Sequence, residues 1–125
     1  MSDIRVNTIS DADGTGPVTL TSQVAVKTHA AFSGDATPTI HESLNASSIA
    51  DNGAGLYTLN FTNSYTTNRF TLVLHAVHDS SFPAGCSSYD YARTTGDADI
   101  STSSSGHNSW SDCGTIDAVL IGDLA

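Results

Sequence analysis

Apolar and polar side chains alternate along most of this 125-residue chain. In LYTLNFT (56–62), Tyr57, Leu59 and Phe61 fall on one side and Thr58, Asn60 and Thr62 on the other. That period of two belongs to a half-buried strand. The preceding SSIADNG (47–53) brings Asp51-Asn52-Gly53, residues that accept the positive φ of a tight turn, so 47–62 is predicted to be a hairpin. Its Tyr57-Leu59-Phe61 face is expected to pack on Leu72, Leu74 and residues 118–121.

The same grammar recurs. THAAFSG (28–34) predicts a strand ending in a glycine turn, and PTIHESLN (38–45) another, with Ile40 and Leu44 in the core. FTLVLHAVHD (70–79) is the most apolar run, and its shortness and β-branched content predict a buried strand rather than a helix. SSYDYART (87–94) alternates Tyr89 and Tyr91 with Ser88 and Asp90. DADISTSSSGHNSWSD (97–112) is polar, with a low-complexity STSSSG core (101–106) that reads as a loop. DCGTIDAVLIGD (112–123) predicts a final central strand through Ile116 and Ala118–Ile121. Strands every ~8–12 residues with Gly and Asn turns predict an all-β, antiparallel β-sandwich or small barrel.

The first 26 residues form a different stretch. Ile4, Val6 and Ile9 precede the turn DADGTG (11–16), and Val18, Leu20, Val24 and Val26 alternate with smaller or polar residues. This apolar set is too thin to build a core alone. Residues 1–26 are therefore expected to be an extended N-terminal arm, with Ile4, Val6, Ile9, Val18 and Leu20 making anchoring or intersubunit contacts. Residues 27–125 are expected to be the β-module.

Composition strengthens the all-β expectation. Lys27 and Glu42 are the only residues of their kinds, so helix-favouring surface side chains are nearly absent. The net charge of −9 rests on four scattered cations, Arg5, Lys27, Arg69 and Arg93. They cannot form the basic stripe that nucleic acid requires. The same charge disfavours anionic lipid. No apolar run approaches the ~20 residues of a membrane helix, and MSDIRVNTISD lacks the apolar centre of a signal peptide, so assembly in a cytoplasm is expected.

Candidate chemistry is sparse. His75 and His78 stand three apart, which in a strand puts them on opposite faces and prevents a shared metal. Asp11-Ala12-Asp13-Gly14 and Asp97-Ala98-Asp99 lack the further offsets of a calcium loop and fit acidic turns. The chain has no GxSxG elbow, and the Ser of GHNSW (106–110) lies in a run crowded with small polar groups. Neither a cofactor nor a metal is expected, nor enzymatic activity. Cys86 and Cys113 are either two thiols or a disulfide, which would need Cα atoms within ~7 Å. Tyr89, Tyr91 and Trp110, in or beside polar loops, either cover the end of the core or form an exposed binding loop for a sugar or a protein.

The stretch AAFSGDATPTIHESLNASSIADNGAGLYTLNFTNSYTTNRFTLVL (30–74) resembles a module of tail-fibre and related structural proteins of bacteriophages, especially marine ones. The features that match in order are Phe32-Ser33-Gly34, Ile40–Ile49, Asp51–Phe61 and Phe70–Leu74. The opening IRVNTISDADGTG (4–16) is similar to segments that precede such modules, residues 80–115 depart from the pattern, and Thr28-His29-Ala30 stands where a tryptophan is usual. The resemblance implies a non-enzymatic virion protein on the particle surface, usually a homotrimer, whose partners are itself and a phage capsid or tail protein. A 26-residue arm reaches at most ~85 Å, too short for a fibre shaft. A capsid decoration or knob protein is expected on that ground. The alternative is a short tail fibre or tail component whose Tyr89, Tyr91 and Trp110 loops bind a receptor or host-surface glycan.

Overall fold

The computed structural model describes residues 26–78, 89–103 and 109–123. Within them the alternating pattern folds as eight strands: β1 Val26–Ser33, β2 Thr39–Leu44, β3 Ala46–Gly53, β4 Leu56–Phe61, β5 Thr71–Val77, β6 Tyr89–Arg93, β7 Asp97–Ser101 and β8 Thr115–Ile121. They form two four-stranded antiparallel sheets, ordered β2-β1-β8-β5 and β3-β4-β7-β6. The inner faces pack into one core, so the fold is a β-sandwich. The first sheet contributes Ala30, Phe32, Ile116, Ala118 and Leu120, and the second contributes Tyr57, Leu59, Ala98 and Ile100. As expected, β8 is central, and Tyr57 and Leu59 are buried with Phe61 packed beside them. The arm lies outside the described residues except for Val26, which opens β1.

One residue carries the chain from the first sheet to the second. Asn45, between β2 and β3, takes φ +57°, a left-handed conformation that asparagine tolerates better than other side chains. Its Nδ2 donates to Thr28 Oγ1 (3.1 Å) and Asn63 O (3.0 Å), while its Oδ1 accepts from Asn63 N (2.7 Å). Tyr65 donates to the same Thr28 hydroxyl at 2.7 Å. Beside this corner Phe61, Tyr65 and Phe70 close one end of the sandwich, with ring centroids 4.7–5.7 Å apart. Arg93 lies over Phe70, 5.2 Å from the ring centroid, and donates to its carbonyl. One of the few cations is thus used to tie β6 to the core.

Four expectations need correction. Leu44 is 53% exposed, because it pairs with His29 on the outer face of the sheet beyond a bulge at Ala31/Phe32. The apolar run 70–79 gives an edge strand, β5, whose Leu72, Leu74 and Ala76 point inward while Val73 points out. Asp97-Ala98-Asp99, expected as an acidic turn, lies in β7: the acidic side chains of DADIS face out while Ala98 and Ile100 are buried. The hairpin turns at Ala54-Gly55 rather than at Asp51-Asn52-Gly53, because Asp51 Oδ1 caps Gly53 N (2.9 Å) and extends β3 through a bulge. Gly53 and Gly55 take the positive φ values, +124° and +66°.

Candidate functional site

The two outer faces differ in character. On the β2-β1-β8-β5 sheet, strand register aligns Leu44, His29, Val119 and Val73 in one row and Val26, Ile121 and Thr71 in the next. Val26, Leu44 and Val73 are about half exposed, at 45%, 53% and 54%. The neighbouring row is charged: Glu42, Ala31, Asp117 and His75, with His75 Nδ1 3.5 Å from Asp117 Oδ2. On the other sheet the outward rows are Ala50-Thr58-Asp99 and Ser48-Asn60-Asp97, which are hydroxyl, amide and carboxylate groups almost throughout.

At the β3–β4 turn end of this polar face lies a cleft of about 290 Å³, lined by Asn52, Leu56, Tyr57, Asp99, Ile100 and Trp110. Trp110 is 43% exposed and is placed by an antiparallel bridge to Ser103. A short relay orders the polar wall: Asn52 Nδ2 donates to Thr58 Oγ1 (2.7 Å), which donates to Asp99 Oδ1 (2.6 Å). Bidirectional hydroxyls such as Thr58 pass hydrogen bonds along in this way.

The segment bearing Trp110 is fixed from behind. Asp112 Oδ1 accepts from Gly55 N (2.6 Å) and from the Tyr57 hydroxyl (3.0 Å). Tyr57 also reaches Gly34 O at 3.2 Å. Gly34 has no room for a side chain, since an added Cβ would collide with the Tyr57 hydroxyl. Ser111 N donates to Thr102 O (3.1 Å), and Thr102 Oγ1 donates back to Ser111 O (2.7 Å). Burial, then the Asp112 hydrogen bond and charge, push the Tyr57 phenol well above its ordinary 10.0. Burial likewise raises Tyr65, against a smaller opposing effect of its hydrogen bond to Thr28.

His78 Nε2 lies 3.1 Å from Ser111 Oγ. A nucleophile and its base share this spacing. Here the contact belongs to a set of ties around the same segment, with Gly114 N donating to His78 O at 3.0 Å. It joins the end of β5 to the segment leading into β8. Among the described residues no group of three or more His, Cys, Asp or Glu side chains could hold a metal.

The sequence-predicted site residues are only partly brought together. Trp110 is exposed and lines the cleft. Tyr89 and Tyr91 lie in β6, with Tyr89 paired to Ser101, rather than in a loop. Cys113 is fully buried, and Cys86 lies outside the described residues, as do Ile4, Val6, Ile9, Val18 and Leu20. Asn52 and Asp99 were absent from the expected site. Asp99 is hidden with β7, whose Ala98 is a weak apolar signal, and Asn52 is joined to it only by the pairing of β3, β4 and β7. Comparison with family models, curated proteins and solved structures finds no match to the chain.

Proposed function

We propose that this chain is a non-enzymatic structural protein of a bacteriophage particle, a head-surface decoration protein that forms homotrimers. The observation that carries the reading is the asymmetry of the sandwich. Among the described residues, three of the four exposed large hydrophobics, Val26, Leu44 and Val73, share one sheet face, beside a charged row of Glu42, Asp117 and His75, while the outward rows of the opposite face carry hydroxyl, amide and carboxylate groups almost throughout. With a net charge of −9, copies repel over most of their surface. The apolar rows of that face are where they can meet, because burying half-exposed Leu and Val side chains gains ~25 cal/mol per Å². The occupant of this face is a second and third copy of the same chain. Residues 1–25, which carry Ile4, Val6, Ile9, Val18 and Leu20, precede Val26 of that face in the sequence. The polar face is then turned outward. The resemblance of residues 30–74 to phage structural modules supplies the particle. The test is to label the chain on purified phage with an antibody. Signal over the head supports decoration; signal at the tail overturns the head assignment in favour of a tail component.

A further inference from the structure

The cleft at Trp110 carries an inference independent of the particle assignment. We infer that it is a binding site for a single neutral hexopyranose ring. Trp110, 43% exposed, lines the cleft with Leu56, and an indole is the kind of side chain that stacks on the C–H face of a sugar. The same cleft is lined by groups of both hydrogen-bonding senses. Asp99 has a second carboxylate oxygen beyond the one engaged by Thr58, and the Asn52 carboxamide keeps a carbonyl oxygen and one N–H beyond its bond to Thr58. Vicinal ring hydroxyls both donate and accept, so they suit a carboxylate beside a carboxamide. The Asn52–Thr58–Asp99 relay holds these two side chains before any ligand arrives, which lowers the ordering cost of binding.

Size and charge narrow the ligand class. At about 290 Å³ the cleft is at the small end of ligand sites, enough for one ring and not for an extended chain enclosed along its length. Asp99 in the wall, Asp97 on the same outer face and the net charge of −9 oppose phosphate, sulfate and carboxylate groups. Nucleotides and acidic sugars are therefore excluded in favour of neutral ones.

Trp110 is the chain's sole tryptophan, so intrinsic fluorescence reports on this site alone. The full chain is titrated with the methyl glycosides of glucose, galactose and mannose, with N-acetylneuraminic acid as the anionic comparison and glycerol as a polyol without a ring. The expected result is a saturable change in Trp110 emission with at least one neutral glycoside, in the millimolar range, and none with the acid or glycerol. Asp99→Asn keeps the shape and the Thr58 contact but removes the charge, and is expected to weaken binding roughly tenfold. Asn52→Ala, at an exposed position, provides a second variant with the same expected direction, and circular dichroism verifies that each is folded. Non-saturating responses to every neutral glycoside would overturn the inference. So would equal binding of the acidic sugar, or saturation that neither variant changes. Failure here leaves the head assignment standing, and tail labelling of the phage leaves this site standing.

Discussion

The hydroxyl of Tyr57, in the centre of the second sheet, donates to the carboxylate of Asp112 at 3.0 Å, across the gap to the segment that leads into β8. The same oxygen accepts from Gly55 N at 2.6 Å, so one carboxylate joins the hairpin turn, the core and the Trp110 segment. Removing the acceptor strands the Gly55 N–H and leaves the phenol only its longer contact to Gly34 O, whereas removing the phenol strands no donor. Asp112→Ala is expected to cost about 3 kcal/mol and Tyr57→Phe about 1 kcal/mol in urea unfolding. Equal costs would show that Gly55 does not depend on the carboxylate.

The two raised phenols make stability fall at high pH. Tyr57 and Tyr65 hold their protons more tightly folded than unfolded, where the ordinary value of 10.0 applies. Their contribution is therefore complete below about pH 10 and is lost as pH rises through the folded-state values. Urea midpoints followed upward from about pH 9 should hold and then decline above about pH 10. In Tyr57→Phe the decline should be shallower.

Asn45 combines a backbone role with a side-chain role, and two substitutions separate them. Asn45→Ala loses three hydrogen bonds and places a Cβ-bearing residue without local support at φ +57°. It is expected to cost about 3–4 kcal/mol. Asn45→Gly relieves the backbone and loses only the hydrogen bonds, for about 2 kcal/mol. Thermal unfolding of both variants checks the order, and a glycine variant no better than the alanine one would remove the backbone argument.

The Ser111–His78 contact is assigned a structural role, and chemistry can test it. Ser111→Ala should lower stability by about 1 kcal/mol. The parent chain should give no Ser111-dependent release of p-nitrophenol from short-chain esters. Hydrolysis that disappears in Ser111→Ala would make the pair a nucleophile and base, and would end the non-enzymatic reading.

Much of the sandwich is legible in the residues, and the exceptions have local physical causes. Period-two alternation identifies β4 and β8 because their alternate large apolar residues all reach the core. It misleads at Leu44, where a bulge reverses which face an apolar residue occupies. It misleads again at Val73, since β5 lies at a sheet edge with apolar side chains on both faces. β7 is hidden because Ala98 is a weak apolar signal between two aspartates, although it is fully buried. The site is harder still. Trp110 stands out as an aromatic in a polar stretch, but its neighbours Asn52 and Asp99 lie 58 and 11 positions away, and only the pairing of β3, β4, β7 and the Ser103–Trp110 bridge assembles them.

The division into a contact face and an outward face is tested most directly by the mass of the full chain in solution, measured by light scattering during size-exclusion chromatography. The account predicts three times the 12.9 kDa chain mass, falling to a single chain mass in a Leu44→Asp, Val73→Asp double variant that stays folded. A parent protein of single chain mass, or a trimer indifferent to both substitutions, would contradict it.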